Sequence, residues 1–176
     1  MIPCVRFSAV GVTLNTREKA KIDIRLAVPG DIDALCEIED QSFEIDRLNR
    51  RAFKRFVGSE TARLCVACTD DGLVGYALVI FRRNVALARL YSLAVSPQWR
   101  GQGIGQQLIT RAEELSLDFG APILRLEVSQ KNNRAISLFH AAGYREFALY
   151  PDYYPDHSDA LRMEKVLVPN ALRLPS

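Results

Sequence analysis

Apolar residues along this chain follow two spacings, every second residue and every third or fourth, and the switches between them mark out its elements. In "KIDIRLAV", Ile22, Ile24 and Leu26 alternate with polar residues, which predicts a strand. "PGDIDALCEIEDQSF" then predicts a turn and a helix, with Asp31 as its N-cap and Ile32, Leu35, Cys36 and Ile38 as its apolar stripe. "DRLNRRAFKRFVGS" predicts a second, basic helix carrying Leu48, Phe53, Phe56 and Val57. "ARLCVACT" and "LVGYALVIFR" flank an Asp-Gly step and read as a hairpin. "VALARLYSLAV" is a further strand, and "GIGQQLITRAEELSLDFG" a helix closed by Gly120. "PILRLEVS" is a buried strand, and "NNRAISLFHAAGY" a short helix capped by Asn132 or Asn133 and closed by Gly143. "REFALY" and "DALRMEKVLV" are two last strands, joined by the aromatic loop "PDYYPDHS".

This order predicts one α/β domain over residues 21–168 with a mostly antiparallel first half. The strand–helix–strand crossover from Val85 to Val128 requires parallel pairing. Residues 1–20 show no clear period and are expected to form a poorly ordered extension, with residues 169–176 as a tail. No repeat, low-complexity tract or linker divides the chain.

Composition narrows the partners. A net charge of +2 gives no electrostatic case for nucleic acid, and no apolar run reaches the length of a membrane helix. The N-terminal stretch, interrupted early by Arg6, lacks the layout of a signal peptide, so a cytoplasmic protein is expected, as a monomer or homodimer. Cys65 and Cys68 form a single C-x-x-C without a second ligand pair, so no metal site is expected. With Cys4 and Cys36 they read as small buried residues in a reducing compartment.

The richest chemistry lies in "LYSLAVSPQWRGQGIGQQLI". Gly101, Gly103 and Gly105 stand at every second position between a strand and a helix, with Arg100 before them. Glycines there let backbone N–H groups approach a phosphate, and the helix N-terminus adds free N–H groups and partial positive charge. A plain tight turn is the structural alternative. A nucleotide loop of the Gly-Lys-Ser/Thr type is excluded because Gln106 and Gln107 follow Gly105. A dinucleotide fingerprint starting at Gly101 is disfavoured by Gln106 at its last position.

"RGQGIG" matches the Arg/Gln-x-x-Gly-x-Gly/Ala signature of the GNAT acyltransferases. With "LRLEVSQKNNRAISLFHAAGY" and "YPDYYPDHSDALRMEKVL", residues 22–167 resemble the RimI-type ribosomal-protein alanine N-acetyltransferases. The resemblance implies a mixed sheet of about seven strands, splayed between the fourth and fifth and flanked by about four helices. It implies acetyl-CoA as cosubstrate, its pyrophosphate on the amides of Gly101, Gln102, Gly103, Ile104, Gly105 and Gln106. It places Leu93, Ala94 and Val95 beside the pantetheine arm, with Asn132 and Phe139 also on the cofactor side and Arg100 as a charge partner. It implies transfer of acetyl to a primary amine, in particular a protein or peptide N-terminus.

Acetyl transfer to an amine needs a group to take the amine proton and one to protonate the leaving thiolate. Glu127 sits at the end of an otherwise apolar strand and matches the family's catalytic glutamate, although a salt bridge to Arg125 or another cation would also explain it. Asn132 would equally serve as a helix cap. The family's tyrosine acid falls on Phe139, which has no proton to give. The hydroxyl then comes from Tyr144, Tyr150, Tyr153 or Tyr154, with Tyr153 and Tyr154 the leading pair, or no dedicated acid exists. His140 and His157 are weaker candidates. A non-catalytic acyl-CoA-binding module and a small-molecule amine acetyltransferase are the competing functions.

Overall fold

The structure is a computed structural model that describes residues 21–43 and 47–167; the expected extension, the tail and Cys4 lie outside them. Seven strands form one sheet in the order β1-β2-β3-β4-β5-β7-β6. They are β1 (Asp23–Leu26), β2 (Ala62–Thr69), β3 (Gly72–Phe81), β4 (Ala88–Val95), β5 (Ile123–Ser129), β6 (Arg145–Tyr150) and β7 (Ala160–Val166). The α-helices are α1 (Ile32–Ser42), α2 (Arg50–Phe56), α3 (Ile104–Asp118) and α4 (Asn133–Ala141). All neighbouring strands are antiparallel except β4 and β5, joined through α3 as the crossover requires. Among the described residues no helix is long and apolar enough to cross a membrane.

Strand alternation sorts the core onto two faces. Leu90, Leu93, Val95, Leu124, Leu126 and Val128 point to one face, where they pack with Ile104, Leu108 and Ile109 of α3 and Phe139 of α4. Leu64, Val66, Tyr76, Leu78 and Ala94 point to the other, under Leu35 and Ile38 of α1 and Phe53 and Phe56 of α2. On this second face β5 and β7 carry charged pairs instead of apolar core: Arg125 opposite Glu164 and Glu127 opposite Arg162. Cys65 and Cys68 fall on opposite faces, and Cys65 is buried, which pushes its thiol up to about 12.

A buried polar chain fastens α1 to β4. The Tyr76 hydroxyl bonds to the Glu39 carboxylate and lies 2.8 Å from Ser92 Oγ. The backbone N–H of Leu48 donates to Glu39 Oε1 at 2.7 Å. Glu39, Tyr76 and Ser92 are all buried, and burying such groups is tolerable because each is hydrogen-bonded.

Local details differ from the sequence expectations in three places. Asp31 precedes α1 but makes no side-chain cap; its carboxylate instead accepts from Arg25 at 2.6 and 2.8 Å and from the Val28 N–H at 2.8 Å. The competing cation on β1 wins because two charge-assisted bonds outweigh one cap. The second helix starts only at Arg50, where the Asn49 side chain accepts from the Ala52 N–H at 2.9 Å. In the hairpin, Asp70 and Asp71 make the two-residue turn and Gly72 already pairs with Thr69.

The Arg25 hydrogen bond holds the Asp31 carboxyl below its usual range. A depressed folded pKa contributes stability above the ordinary carboxyl pKa and loses it as pH falls through the lowered value. Asp31→Asn should therefore lower unfolding stability by about 1–2 kcal/mol at pH 7, discounted for the half-exposed arginine. In urea titrations the gap to wild type should shrink towards pH 3; a gap that persists unchanged there would contradict the ion-pair account.

Candidate active site

The site begins where the sheet comes apart. β4 and β5 pair only at Ala88–Leu124 and Arg89–Arg125. Just beyond, β4 carries a bulge: Val79 of β3 faces Leu90 and Leu78 faces Ser92, so Tyr91 is the extra residue. A bulge bends its strand and sharpens its twist, here away from β5. β4 stays paired with β3 as far as Val95, and β5 with β7 as far as Ser129. From Leu90 and Leu126 onward each strand therefore keeps one partner and turns its other edge to a gap. Leu93, Ala94 and Val95 line that gap with backbone, because their side chains are buried in the two cores. An open edge of this kind pairs with an extended ligand as it would with another strand.

The gap leads into the glycine loop. Gly101 and Gly103 sit at φ of +81° and +80°, a region that side chains with a Cβ rarely adopt, and no heavy atom lies within 4 Å of a Cβ built on either. Gly103 caps α3 without a side chain, and the first helical bond runs from the Gln107 N–H to its carbonyl. The amides of Ile104, Gly105 and Gln106 precede that bond, so the helix start presents N–H donors to an anion. Arg100 Nε donates to the Val95 carbonyl at 3.0 Å, bracing the loop against the end of β4. Burial, and then the charge of Arg134, push Arg100 below the usual arginine range. An anion at the loop would relieve that repulsion. Arg134, exposed in the first turn of α4, is a contributor that sequence reasoning passed over, since nothing in its local spacing marks it. The loop and gap thus suit the diphosphate and the amide-bearing arm of acetyl-CoA.

Glu127 lies on the other side of the gap, on the face shared with α1 and α2. It is 4% exposed. Arg89 Nη2 approaches its Oε2 at 2.6 Å, and Arg162 Nε its Oε1 at 3.4 Å. The sequence considered Arg125 as partner, but Arg125 is taken by Glu164 at 2.7 Å. Arg89 also donates from Nη2 to the Tyr153 hydroxyl at 3.1 Å. Burial disfavours the Arg89 charge, but Glu127 and Tyr153 outweigh it and hold the guanidinium above its ordinary range. Arg89 therefore joins the carboxylate to the tyrosine. Neither arginine was foreseen: they stand on strands far apart in sequence and share no motif.

The structure separates the candidate hydroxyls. Tyr153 reaches the Glu127 cluster, and its ring stacks on Tyr150 at 5.9 Å. Tyr154 is buried beside Ala160, edge-on to Tyr153. The loop holding them is self-tied: the Tyr153 and Tyr154 N–H groups both donate to the Ser158 carbonyl at 3.1 Å, and the Gln130 N–H donates to the Asp159 carbonyl at 3.0 Å. Tyr144 is buried on the α3 side against Phe139, and burial with Glu113 nearby pushes its phenol well above the usual range. Phe139 is fully buried in that core, as a packing residue is. Asn132 caps α4 by accepting from the Ala135 N–H at 3.1 Å. His140 pairs with Glu146 at the surface, and exposed His157 with Asp152, both within their own neighbourhoods.

A seven-stranded sheet opened beside a helix start with free N–H groups is the architecture of the acyl-CoA-dependent transferases of the GNAT family. The chain matches the model of the acetyltransferase (GNAT) family over residues 32–144 and belongs to that family. It is 30% identical over 146 residues to a putative ribosomal protein bS18-alanine N-acetyltransferase of Bacillus subtilis, covering 82% of this chain and 95% of that one. It is 27% identical over 172 residues to an N-alpha-acetyltransferase of Sulfolobus acidocaldarius, covering 86% and 96% of the two chains. The crystal structure of the ribosomal-protein-S18-alanine N-acetyltransferase from Escherichia coli shares the fold with a TM-score of 0.75 at 22% identity, over 88% of this chain and all of that one. The chain is an acetyl-CoA-dependent N-acetyltransferase of this family.

Gly103→Val should weaken acetyl-CoA binding at least about tenfold in calorimetry, because the new side chain fills the loop's open side. Gly120→Val is the matched control, at φ +83° with equally open space beyond the far end of α3. It should bear the same backbone strain and leave affinity unchanged. Equal affinities for both variants and wild type would remove the loop from the binding site.

Proposed function

We propose that the protein transfers an acetyl group from acetyl-CoA to a protein or peptide N-terminal amine by direct transfer in a ternary complex. The observation that carries this reading is Glu127, a buried carboxylate on the acceptor face of the gap, held beside the Tyr153 hydroxyl by Arg89. Acetyl-CoA supplies the activated acetyl thioester. An α-amine, with a pKa of about 7.7–8.0, yields its proton near neutrality far more readily than a lysine at about 10.4. Glu127 accepts that proton, directly or through one water. Tyr153 donates to the departing thiolate, in place of a hydroxyl at Phe139. Arg89 and Arg162 fix the carboxylate, and Arg89 fixes the tyrosine, so neither group spends rotamer freedom on reaching its position. Two of the similar proteins are named for acetylating an alanine or an α-amine, which favours an N-terminal acceptor over a small-molecule amine. A cytoplasmic reaction is part of this reading, supported by the similar protein named for a ribosomal-protein substrate. A non-catalytic acyl-CoA-binding module is the competing reading; it predicts cofactor binding without thiol release.

Thiol release with a panel of N-terminal peptides tests this. Glu127→Gln keeps the shape of the side chain but cannot take a proton, and should lower kcat about 10²–10⁴-fold with acetyl-CoA affinity nearly intact. The deficit should shrink as pH rises, because free amine then forms unaided. Tyr153→Phe should lower kcat by a similar factor, while Tyr154→Phe should not. Wild-type kcat in a folded Glu127→Gln protein across pH 6 to 9 would make the carboxylate structural.

A further inference from the structure

The charged strip across β4, β5 and β7 has more cations than its carboxylates use. Arg89, Arg125 and Arg162 face Glu127 and Glu164. Arg125 is taken up by Glu164 at 2.7 Å, and Arg89 by Glu127 and Tyr153. Arg162 is left with a single ion pair, Nε to Glu127 at 3.4 Å, and among the described residues no ion pair or hydrogen bond uses its Nη atoms.

The guanidinium is nevertheless fixed. Its centre lies 4.7 Å from the Phe147 ring centroid and 4.6 Å from that of Tyr150. Both rings are partly open to solvent, at 39% and 41% exposure, and the arginine side chain itself is 21% exposed. A planar fork pinned between two rings, with two accessible nitrogens, is preorganised for a carboxylate. The acids of the neighbouring β6–β7 loop do not fill this role: Asp156 pairs with Lys131, Asp152 with His157, and Asp159 accepts from the Asp152 N–H.

We infer that Arg162 reads a carboxylate on the acceptor, so that the preferred acceptors carry a negative charge next to the reacting amine. This rests on the transfer reading above. Because Arg162 Nε lies 3.4 Å from Glu127, a carboxylate held at its Nη atoms falls within reach of the first two residues of an acceptor whose amine Glu127 serves. Two sources fall within that reach: an acidic second residue of a peptide, or the free α-carboxylate of an amino acid. Aromatic contacts from Tyr150 and Phe147 line the same spot.

The test compares acceptors that differ only in charge: an Ala-Asp peptide amide against its Ala-Asn counterpart, and alanine against alaninamide. The wild-type protein should favour the carboxylate member of at least one pair about tenfold or more in kcat/KM. Preference within the peptide pair assigns the acidic second residue, and preference within the alanine pair assigns the free carboxylate. In Arg162→Gln that preference should fall to about twofold or less, and Arg162→Lys, keeping charge without the fork, should retain part of it. Equal rates within both pairs for the wild type would overturn the inference while leaving acetyl transfer intact, and so would a preference that survives in Arg162→Gln. Should Arg162→Gln fail to fold, the wild-type ratios decide alone. No thiol release with any acceptor would defeat the transfer reading, and this one with it.

Discussion

Everything in this site depends on one break in backbone pairing. β4 and β5 hold together for only two residue pairs before the extra residue at Tyr91 turns β4 aside. In a continuous parallel pair the edges of Leu93, Ala94 and Val95 would be consumed by the ladder, and Glu127 would stand over a closed sheet. The break instead leaves each strand paired on one side only, which converts ladder donors and acceptors into a ligand groove. The same divergence delivers the chain from Val95 into the glycine loop at the mouth of that groove.

A gap in a sheet costs packing and must be held open by its flanks. On one side, the apolar faces of β4 and β5 share a core with α3, so the strands are anchored through their side chains where their backbones part. On the other, Ser92, the residue after the bulge, is tied through Tyr76 to Glu39 of α1. That chain connects the strand lining the gap to α1 on the other face of the sheet. The paired charges on β5 and β7, with Glu127 buried at their centre, complete the frame. Removing an arginine from this cluster leaves the buried Glu127 carboxylate short of a partner, so its geometry is held more tightly than its net stability suggests.

Much of this was legible in the chain. The seven strands, four helices and the parallel crossover follow from apolar spacing, since each element buries one face. The glycine loop shows because backbone that requires positive φ leaves glycines in the sequence, as at Gly101 and Gly103. The core role of Phe139 follows from its place in an apolar stripe. The bulge at Tyr91 was not visible, because "ARLYSLAV" alternates well enough to read as an uninterrupted strand. Arg89 and Arg162 escaped notice for a different reason. Their meaning comes from cross-strand register with Glu127, which only the folded sheet supplies. Asp31 holds the N-cap position of α1 as expected, but its carboxylate makes no cap bond; a local rule could not register Arg25 on the neighbouring strand.

Hydrogen–deuterium exchange with and without acetyl-CoA tests the dependence on this break most directly. The gap-facing amides of Leu90–Val95, and those of Gly101–Gln106, should slow markedly when acetyl-CoA is added, while the amides of α2 keep their rates. Acetyl-CoA binding, confirmed by calorimetry, that leaves the β4 and loop amides exchanging as before would place the cofactor elsewhere and contradict the account.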